Sequence, residues 1–222
     1  MRTVECYLDD TNTMNIGEHT VSEALRAAGT AHLWSERGNT VVDTVVIHSM
    51  NAGLVNKNNP FERASVVGLF VRYGVSSHYC VERDGMVLAL VPEEWKAWHC
   101  GGSIMPPPDL RTSVNAFSIG IELLATEQSG FTEPQYASCL RLCRELELRN
   151  RAIRTYVGHE HIAREEAVHR GLRSEIKTDP GVYFPWERFR NDLQEGSTVG
   201  SSDSTSGVRR LFPCGNIPRP FF

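Results

Sequence analysis

The chain has 222 residues, a length typical of one compact domain with a core large enough to fold without disulfides. Hydrophobic residues make up 41% of the sequence and charged residues 23%, a composition that argues against a disordered or fibrous protein. Acidic residues outnumber basic ones by 27 to 23, which gives a formal net charge of -4. Because binding to phosphates usually requires a basic excess, nucleic acid is not expected as a partner.

The sequence contains no signal for insertion into a membrane. A spanning helix needs about 20 apolar residues, and the apolar runs here, such as Met86 to Val91, are far shorter. The first residues are acidic and polar, whereas a secretory signal is basic and then apolar. Six cysteines do not imply a disulfide framework at this length, and the patterns around Cys80, Cys139 and Cys143 favour buried free thiols. We therefore expect a cytoplasmic protein, or a periplasmic or extracellular one if a signal peptide has been removed.

The chain begins with a polar lead-in, residues 1–40, in which Thr20 and Glu23 are spaced to cap one short helix. Residues 41–48 are apolar or β-branched at nearly every position. This pattern predicts a strand covered on both faces, with His48 emerging at its carboxyl end.

A helix is expected over residues 64–72. An Asp-Gly pair then predicts a tight turn that joins two strands at 77–81 and 86–91. Residues 95–108 contain aromatic residues, two glycines and three prolines, and are expected to form a surface loop.

The second half of the chain continues the alternation of strands and helices. Residues 118–124 predict another buried strand, and a helix capped by Thr132 is expected to end near Asn150. A short strand over 153–157 and a helix over 185–193 follow. Strands interleaved with helices predict a single α/β domain.

Two histidines follow buried strands and are candidate metal ligands. His48 and His159 each lie where a strand meets a loop, the edge of a sheet at which ligands collect. Asp179, in a Pro-Gly turn, is a candidate third ligand because the turn holds its carboxylate rigidly. Structural histidines and an aspartate that binds its own backbone are the alternatives, and His161 and His169 are rival ligands.

Four further residues are candidates for roles in catalysis or binding. Glu122 lies in a buried strand, where its pKa is expected to rise into the range of a general base, unless a buried salt bridge holds it. Lys177 is a candidate oxyanion stabiliser, with simple solvation as the alternative. Trp98 and His99 form the wall of a binding cleft or merely pack on the sheet.

Seven short motifs follow one another along residues 40–193: VVIHS (45–49), SSHYCVERDG (76–85), AWHCG (97–101), NAFSIGIELL (115–124), FTEPQY (131–136), GHEHIA (158–163) and KTDPG (177–181). In this order they resemble the zinc-dependent N-acetylmuramoyl-L-alanine amidases. This family includes a cytosolic muropeptide-recycling amidase, short phage lysozyme-amidases and the peptidoglycan recognition proteins. The motifs are most similar to the recycling subgroup.

The resemblance implies one zinc ion bound by His48, His159 and Asp179, with Glu122 as the base and Lys177 stabilising the oxyanion. It implies hydrolysis of the amide bond between N-acetylmuramic acid, or its 1,6-anhydro form, and the L-alanine of a peptidoglycan stem peptide. Muropeptides are then the binding partners. The alternatives are a muropeptide-binding module without activity, a wall-lytic amidase that acts on intact sacculi, and a zinc peptidase that cuts within the stem peptide.

The resemblance also implies a central mixed β-sheet flanked by helices, with the active-site groove at one side of the sheet. His99, Trp98 and Asn115 are expected to bind substrate in that groove. We expect residues 41–195 to be the catalytic domain and residues 196–222, which begin as a Gly/Ser linker, to be a flexible basic tail.

One segment departs from the family pattern. The 13 residues 164–176 stand where the recycling enzymes have a short connector. This insert adjoins the metal ligands, and we expect it to reshape the cleft or to act as a lid.

Overall fold

The computed structural model describes residues 1–195 and 210–212. Eight strands are present in these residues: β1 (Thr3–Glu5), β2 (Trp34–Glu36), β3 (Thr44–Met50), β4 (Tyr79–Val81), β5 (Val87–Ala89), β6 (Trp95–Ala97), β7 (Ser118–Leu124) and β8 (Thr155–Gly158). The helices are α1 (Val21–Ala27), α2 (Arg63–Tyr73), α3 (Glu133–Arg149), α4 (His159–Ile162), α5 (Glu165–His169) and α6 (Trp186–Glu195). No helix of these residues is long and apolar enough to span a bilayer.

Six strands form one mixed sheet in the order β1-β5-β4-β7-β3-β8, which confirms the predicted α/β class. Strands β4, β7, β3 and β8 are mutually parallel, and β5 is antiparallel to β4. Strands β2 and β6 form a separate antiparallel pair. The register between β3 and β7 pairs His48 with Glu122, so that two candidate site residues stand side by side.

Both faces of the central strands are covered, which explains their continuous apolar sequence. On one face, Val45 and Ile47 belong to a buried cluster that includes residues of α3 and α6. A second buried cluster contains residues of α1, α2 and β5. Each fully buried aliphatic side chain contributes about 1.5–3 kcal/mol to folding. Packing on both faces therefore fixes the sheet as a rigid base for the residues at its edge.

The predicted helix signals are confirmed. Thr132 caps α3: its side chain accepts a hydrogen bond from the Gln135 backbone N–H, and the Gln135 side chain accepts one from the Thr132 N–H. Thr20 and Glu23 form the same reciprocal pair at α1. The Asp-Gly turn between β4 and β5 is also present, with Gly85 at a φ of 85°.

Three predicted boundaries or conformations are wrong. Strand β3 begins at Thr44 and continues to Met50, because its ladder with β7 extends that far, so His48 lies within the strand and not at its end. Strand β8 occupies Thr155–Gly158 instead of 153–157. Residues Trp95–Ala97 are not a surface loop: they form β6 by pairing with β2, and Ala97 is fully buried.

The lead-in contributes to the sheet. Strand β1 pairs in parallel with β5, and Leu8 and Leu25 are fully buried in the cluster around α1 and α2. The proposed division of the chain at residue 40 remains a prediction. The tail assigned to residues 196–222 lies outside the described residues except for 210–212, where Leu211 forms a bridge with Thr155. The five cysteines of the described residues are free thiols, as expected.

Candidate metal centre and active site

One cavity of about 540 Å³ contains most of the predicted site residues. His48 enters it from β3 and Glu122 from the neighbouring strand β7. His159 enters as the first residue of α4, immediately after β8, and Asp179 lies in the turn beyond the insert. Three parallel strands and one turn therefore bring together residues that are up to 131 positions apart in sequence.

The three predicted ligands meet through defined atoms. Asp179 Oδ2 lies 3.1 Å from His48 Nδ1 and 3.3 Å from His159 Nδ1. One ligand atom from each of the three residues falls within 4.8 Å of the others. Ligands bound about 2.0–2.1 Å from a tetrahedral ion are separated by roughly 3.3–3.4 Å, and the two contacts of Asp179 lie close to that separation. Two imidazoles and one carboxylate also form a donor set that leaves a fourth position open.

The electrostatic surroundings shift the pKa values of two of the three ligands, Asp179 and His48. Burial alone raises the pKa of the Asp179 carboxyl, but hydrogen bonds with His159 and His48 hold that pKa well below its usual range. Burial lowers the pKa of His48, against the opposing effect of the Asp179 hydrogen bond. A charged carboxylate therefore faces a neutral imidazole at physiological pH.

Glu122 is a buried carboxyl group that has no compensating cation among the residues that the structure describes. The residue is 8% exposed, and its Oε2 atom has no hydrogen-bond partner among the described residues. Burial raises the pKa of Glu122 well above its ordinary value, and the nearby charge of Asp179 raises it further. The salt-bridge alternative finds no partner in this part of the chain. A proton-accepting group with a raised pKa inside a cleft is typical of a general base.

The remaining predicted residues occupy different parts of the cavity. Lys177 is exposed at its wall, and Trp98 lines it while donating an indole hydrogen bond to Ser35. His99 also lines the cavity, but both of its ring nitrogens face protein groups. The Oδ1 atom of Asn115 accepts hydrogen bonds from the backbone N–H groups of residues 99 and 100.

The rival ligands lie outside the group of metal-binding atoms. His161 Nδ1 accepts a hydrogen bond from the Gly158 N–H, and its ring packs against Trp186. His169 is exposed at the end of α5. Neither residue is part of the cluster formed by His48, His159 and Asp179.

Arg173 is a cavity residue that the sequence analysis missed. It belongs to the insert, donates a hydrogen bond to the Gly102 carbonyl and brings Nη1 within 3.3 Å of His159 Nε2. The insert lies directly against the backbone of Gly102, where a Cβ atom would stand 1.8 Å from the Leu172 carbonyl oxygen. The sequence signal that could have identified Arg173 is a basic residue within an insert that adjoins the metal ligands.

The cavity also has exposed apolar lining residues. Leu54, Tyr73 and Val75 line it and are 90%, 60% and 41% exposed, respectively. Arg173 and Lys177 supply positive charge on the side of the insert. The cleft therefore offers both apolar and cationic side chains around the candidate metal centre.

Comparisons with known proteins agree with this architecture. The profile of the N-acetylmuramoyl-L-alanine amidase family matches residues 37–182. The 1,6-anhydro-N-acetylmuramyl-L-alanine amidase AmpD of Citrobacter freundii is 38% identical over 117 residues, which cover 52% of this chain and 56% of the relative. AmpD of Escherichia coli K12 is 37% identical over 116 residues, covering 52% and 57%.

A crystal structure of a selenomethionine derivative of AmpD superposes with a TM-score of 0.58 at 30% identity. The superposition covers 72% of this chain and 89% of that one. The sequence matches, in contrast, span little more than half the length of the curated relatives.

Proposed function

This chain belongs to the N-acetylmuramoyl-L-alanine amidase family, and we propose that it is a zinc-dependent amidase acting on soluble muropeptides. The bond cleaved joins the lactyl carbonyl of 1,6-anhydro-N-acetylmuramic acid to L-alanine. The observation that carries the proposal is the convergence of His48 Nδ1, His159 Nδ1 and Asp179 Oδ2 beside the buried carboxyl of Glu122. The printed names of the curated relatives support the anhydro form of the sugar.

The donor set determines which residues would hold the metal. His48, His159 and Asp179 would bind one zinc ion, which supplies a Lewis acid that polarises the amide carbonyl and acidifies water. Their neighbours in the sheet and the turn fix the three side chains before any ion binds, which lowers the entropic cost of assembling the site.

Glu122 carries the proton in the proposed mechanism. It takes a proton from the attacking water and delivers it to the nitrogen of L-alanine as the amide bond breaks. The surrounding apolar burial favours the protonated form, so the group is a ready acid in the second half of the reaction. Lys177, on the cavity wall, donates to the carbonyl oxygen as that oxygen becomes negative.

The two kinds of side chain in the cleft suit the two halves of a muropeptide. The stem peptide carries free carboxylates, and Arg173 and Lys177 would attract them. The apolar ring face of the sugar would lie against Tyr73 and Trp98, which present aromatic surface to the same cavity. Substrate contacts by Trp98, His99 and Asn115 remain predictions.

The proposal is tested by product analysis on three substrates: soluble anhydro-muropeptide, purified sacculi and the stem peptide without sugar. We expect zinc-dependent release of an intact stem peptide from the first, at a higher rate than from sacculi. Faster release from sacculi would identify a wall-lytic amidase. Fragments of the stem peptide with L-alanine still on the sugar would identify a peptidase, and binding without cleavage would identify a recognition module.

A further inference from the structure

Each histidine ligand has a second ring nitrogen, and the neighbouring residues 99 and 100 each contact one of these nitrogens. His48 Nε2 lies 3.0 Å from Nδ1 of His99. His159 Nε2 lies 3.3 Å from the carbonyl oxygen of Cys100. Ligating histidines commonly donate the second N–H to an acceptor that fixes the ring and its tautomer. Residues 99 and 100 thus offer an acceptor to each ring, while Arg173 Nη1, a donor that also lies 3.3 Å from His159 Nε2, competes with the Cys100 carbonyl for that nitrogen.

Contacts run from His48 through His99 and Ser118 to the carbonyl of Val114, and that carbonyl fixes the direction of each hydrogen bond. The Val114 carbonyl can only accept, so the Ser118 hydroxyl 2.7 Å away donates to it. Ser118 Oγ is then free to accept from His99 Nε2 at 3.2 Å. With its proton on Nε2, neutral His99 has an acceptor at Nδ1 for the His48 Nε2–H group. In the structure His48 Nδ1 hydrogen-bonds to Asp179, and a bound cation would take the place of that hydrogen, with the His48 proton held on Nε2.

Residues 99 and 100 are held in place from two further directions. Asn115 Oδ1 accepts hydrogen bonds from the backbone N–H of His99 at 3.2 Å and from that of Cys100 at 3.0 Å. The His99 ring lies directly over Gly120, where a Cβ atom would be 2.5 Å from the ring Cγ. Because β7 carries no side chain at that position, the imidazole packs onto the strand backbone. The acceptor for His48 is therefore fixed in both position and orientation.

We propose that His99 is a positioning residue of the metal centre, which selects the metal-binding tautomer of His48 through a directed relay that ends at Ser118 and the Val114 carbonyl. Asn115 holds the backbone of this relay. The inference rests on the proposed zinc site and gives His99 and Asn115 a role in metal binding that does not depend on contact with substrate. Neither side chain is a ligand.

The test compares zinc affinities, measured by competition with a chromophoric chelator, across matched variants of the full chain. His99→Asn keeps an acceptor near the position of Nδ1, whereas His99→Leu has the same size and no acceptor. We expect His99→Leu to bind zinc about 10–100-fold more weakly and His99→Asn to recover most of the loss. Ser118→Ala should weaken binding, and Ser77→Ala is its control, since Ser77 is a buried serine whose hydroxyl has no partner among the described residues.

A spectroscopic measurement tests the relay in the folded, zinc-bound wild-type protein. Long-range 1H–15N correlations should place the proton of His99 on Nε2 and leave Nδ1 unprotonated. A proton on Nδ1 of His99 would overturn the inference. Equal zinc affinity in His99→Leu, with the fold intact by circular dichroism, would overturn it as well. A wild-type protein that binds no zinc would instead overturn the proposed function.

Discussion

Replacing Glu122 by glutamine measures separately how this residue affects the free energy of unfolding and how it affects kcat. The substitution keeps the size of the side chain, so it opens no cavity at a site that is only 8% exposed. It removes the group that would transfer the proton, a contribution of about 10²–10⁴ in rate, or roughly 3–5.5 kcal/mol of activation free energy. We expect kcat to fall by that factor, while one zinc ion still binds because Glu122 is not among the ligands.

The same substitution should stabilise the metal-free protein at neutral pH. Since folding raises the pKa of Glu122 above its ordinary value of 4.5, the native state holds a proton that the unfolded state releases as the pH rises. Wild-type stability therefore falls above pH 4.5 relative to the glutamine variant, and the difference disappears below that pH. Urea unfolding of the two metal-free proteins between pH 4 and pH 8 measures this effect.

Glu160→Gln is the matched control for both measurements. Glu160 is also buried, and burial raises its pKa to about 7, but it does not line the cavity. Its glutamine variant should retain most of the turnover. An unchanged kcat in Glu122→Gln would refute the assignment of the base, and an unchanged or lower stability at neutral pH would refute the electrostatic argument.

Three further predictions follow from the site and its surroundings. Removal of zinc by a chelator should abolish turnover, and so should the substitution Asp179→Asn. Adding zinc at 100 times its Kd should raise the free energy of unfolding of the wild type, but not of the variant, by about 2.7 kcal/mol. Equal melting temperatures of the wild type with and without zinc would contradict this prediction. Arg173→Ala should raise KM for an anionic muropeptide by about 10–100-fold with little change in kcat, as expected when a hydrogen bond to a charged group is lost. An unchanged KM would exclude a contact between Arg173 and the substrate. Burial and the charge of Arg37 lower the pKa of His78 from 6.5 to about 3. As the pH falls from 6.5 to 3, the unfolded state therefore gains a proton at His78 that the native state does not. The free energy of unfolding should drop by about 1.4 kcal/mol per pH unit over that range. Urea unfolding should show a shallower decline in His78→Gln, and identical slopes would contradict the assignment.

The main strands and the longest helix could be predicted because their signals are local. Residues 118–124 are apolar or small except for Glu122, and the observed strand β7 has those same bounds. The cap at Thr132 depends on residues only three apart, so it was also evident from the sequence. Strand β3 was displaced by a few residues because its end depends on how far its partner β7 extends, which a single strand does not reveal.

Elements that depend on distant partners escaped prediction. Strand β1 has three exposed residues and forms only because β5 offers it an edge. Strand β6 likewise depends on β2, which is about 60 residues away in sequence.

The candidate site divides in a similar way. The ligand positions followed from the ends of buried strands and from the family resemblance. The contact between His48 and His99 joins residues 51 positions apart and required the fold itself.

The close approach of the insert to Gly102 has a consequence for exchanging parts between members of the family. Any residue larger than glycine there would collide with the Leu172 carbonyl and push the segment away from the cleft. Residues 164–176 grafted into a homologue would therefore adopt this position only if the recipient also has a glycine at the position that corresponds to Gly102. To transfer substrate specificity between homologues, the insert and the segment that contains Gly102 should be exchanged together.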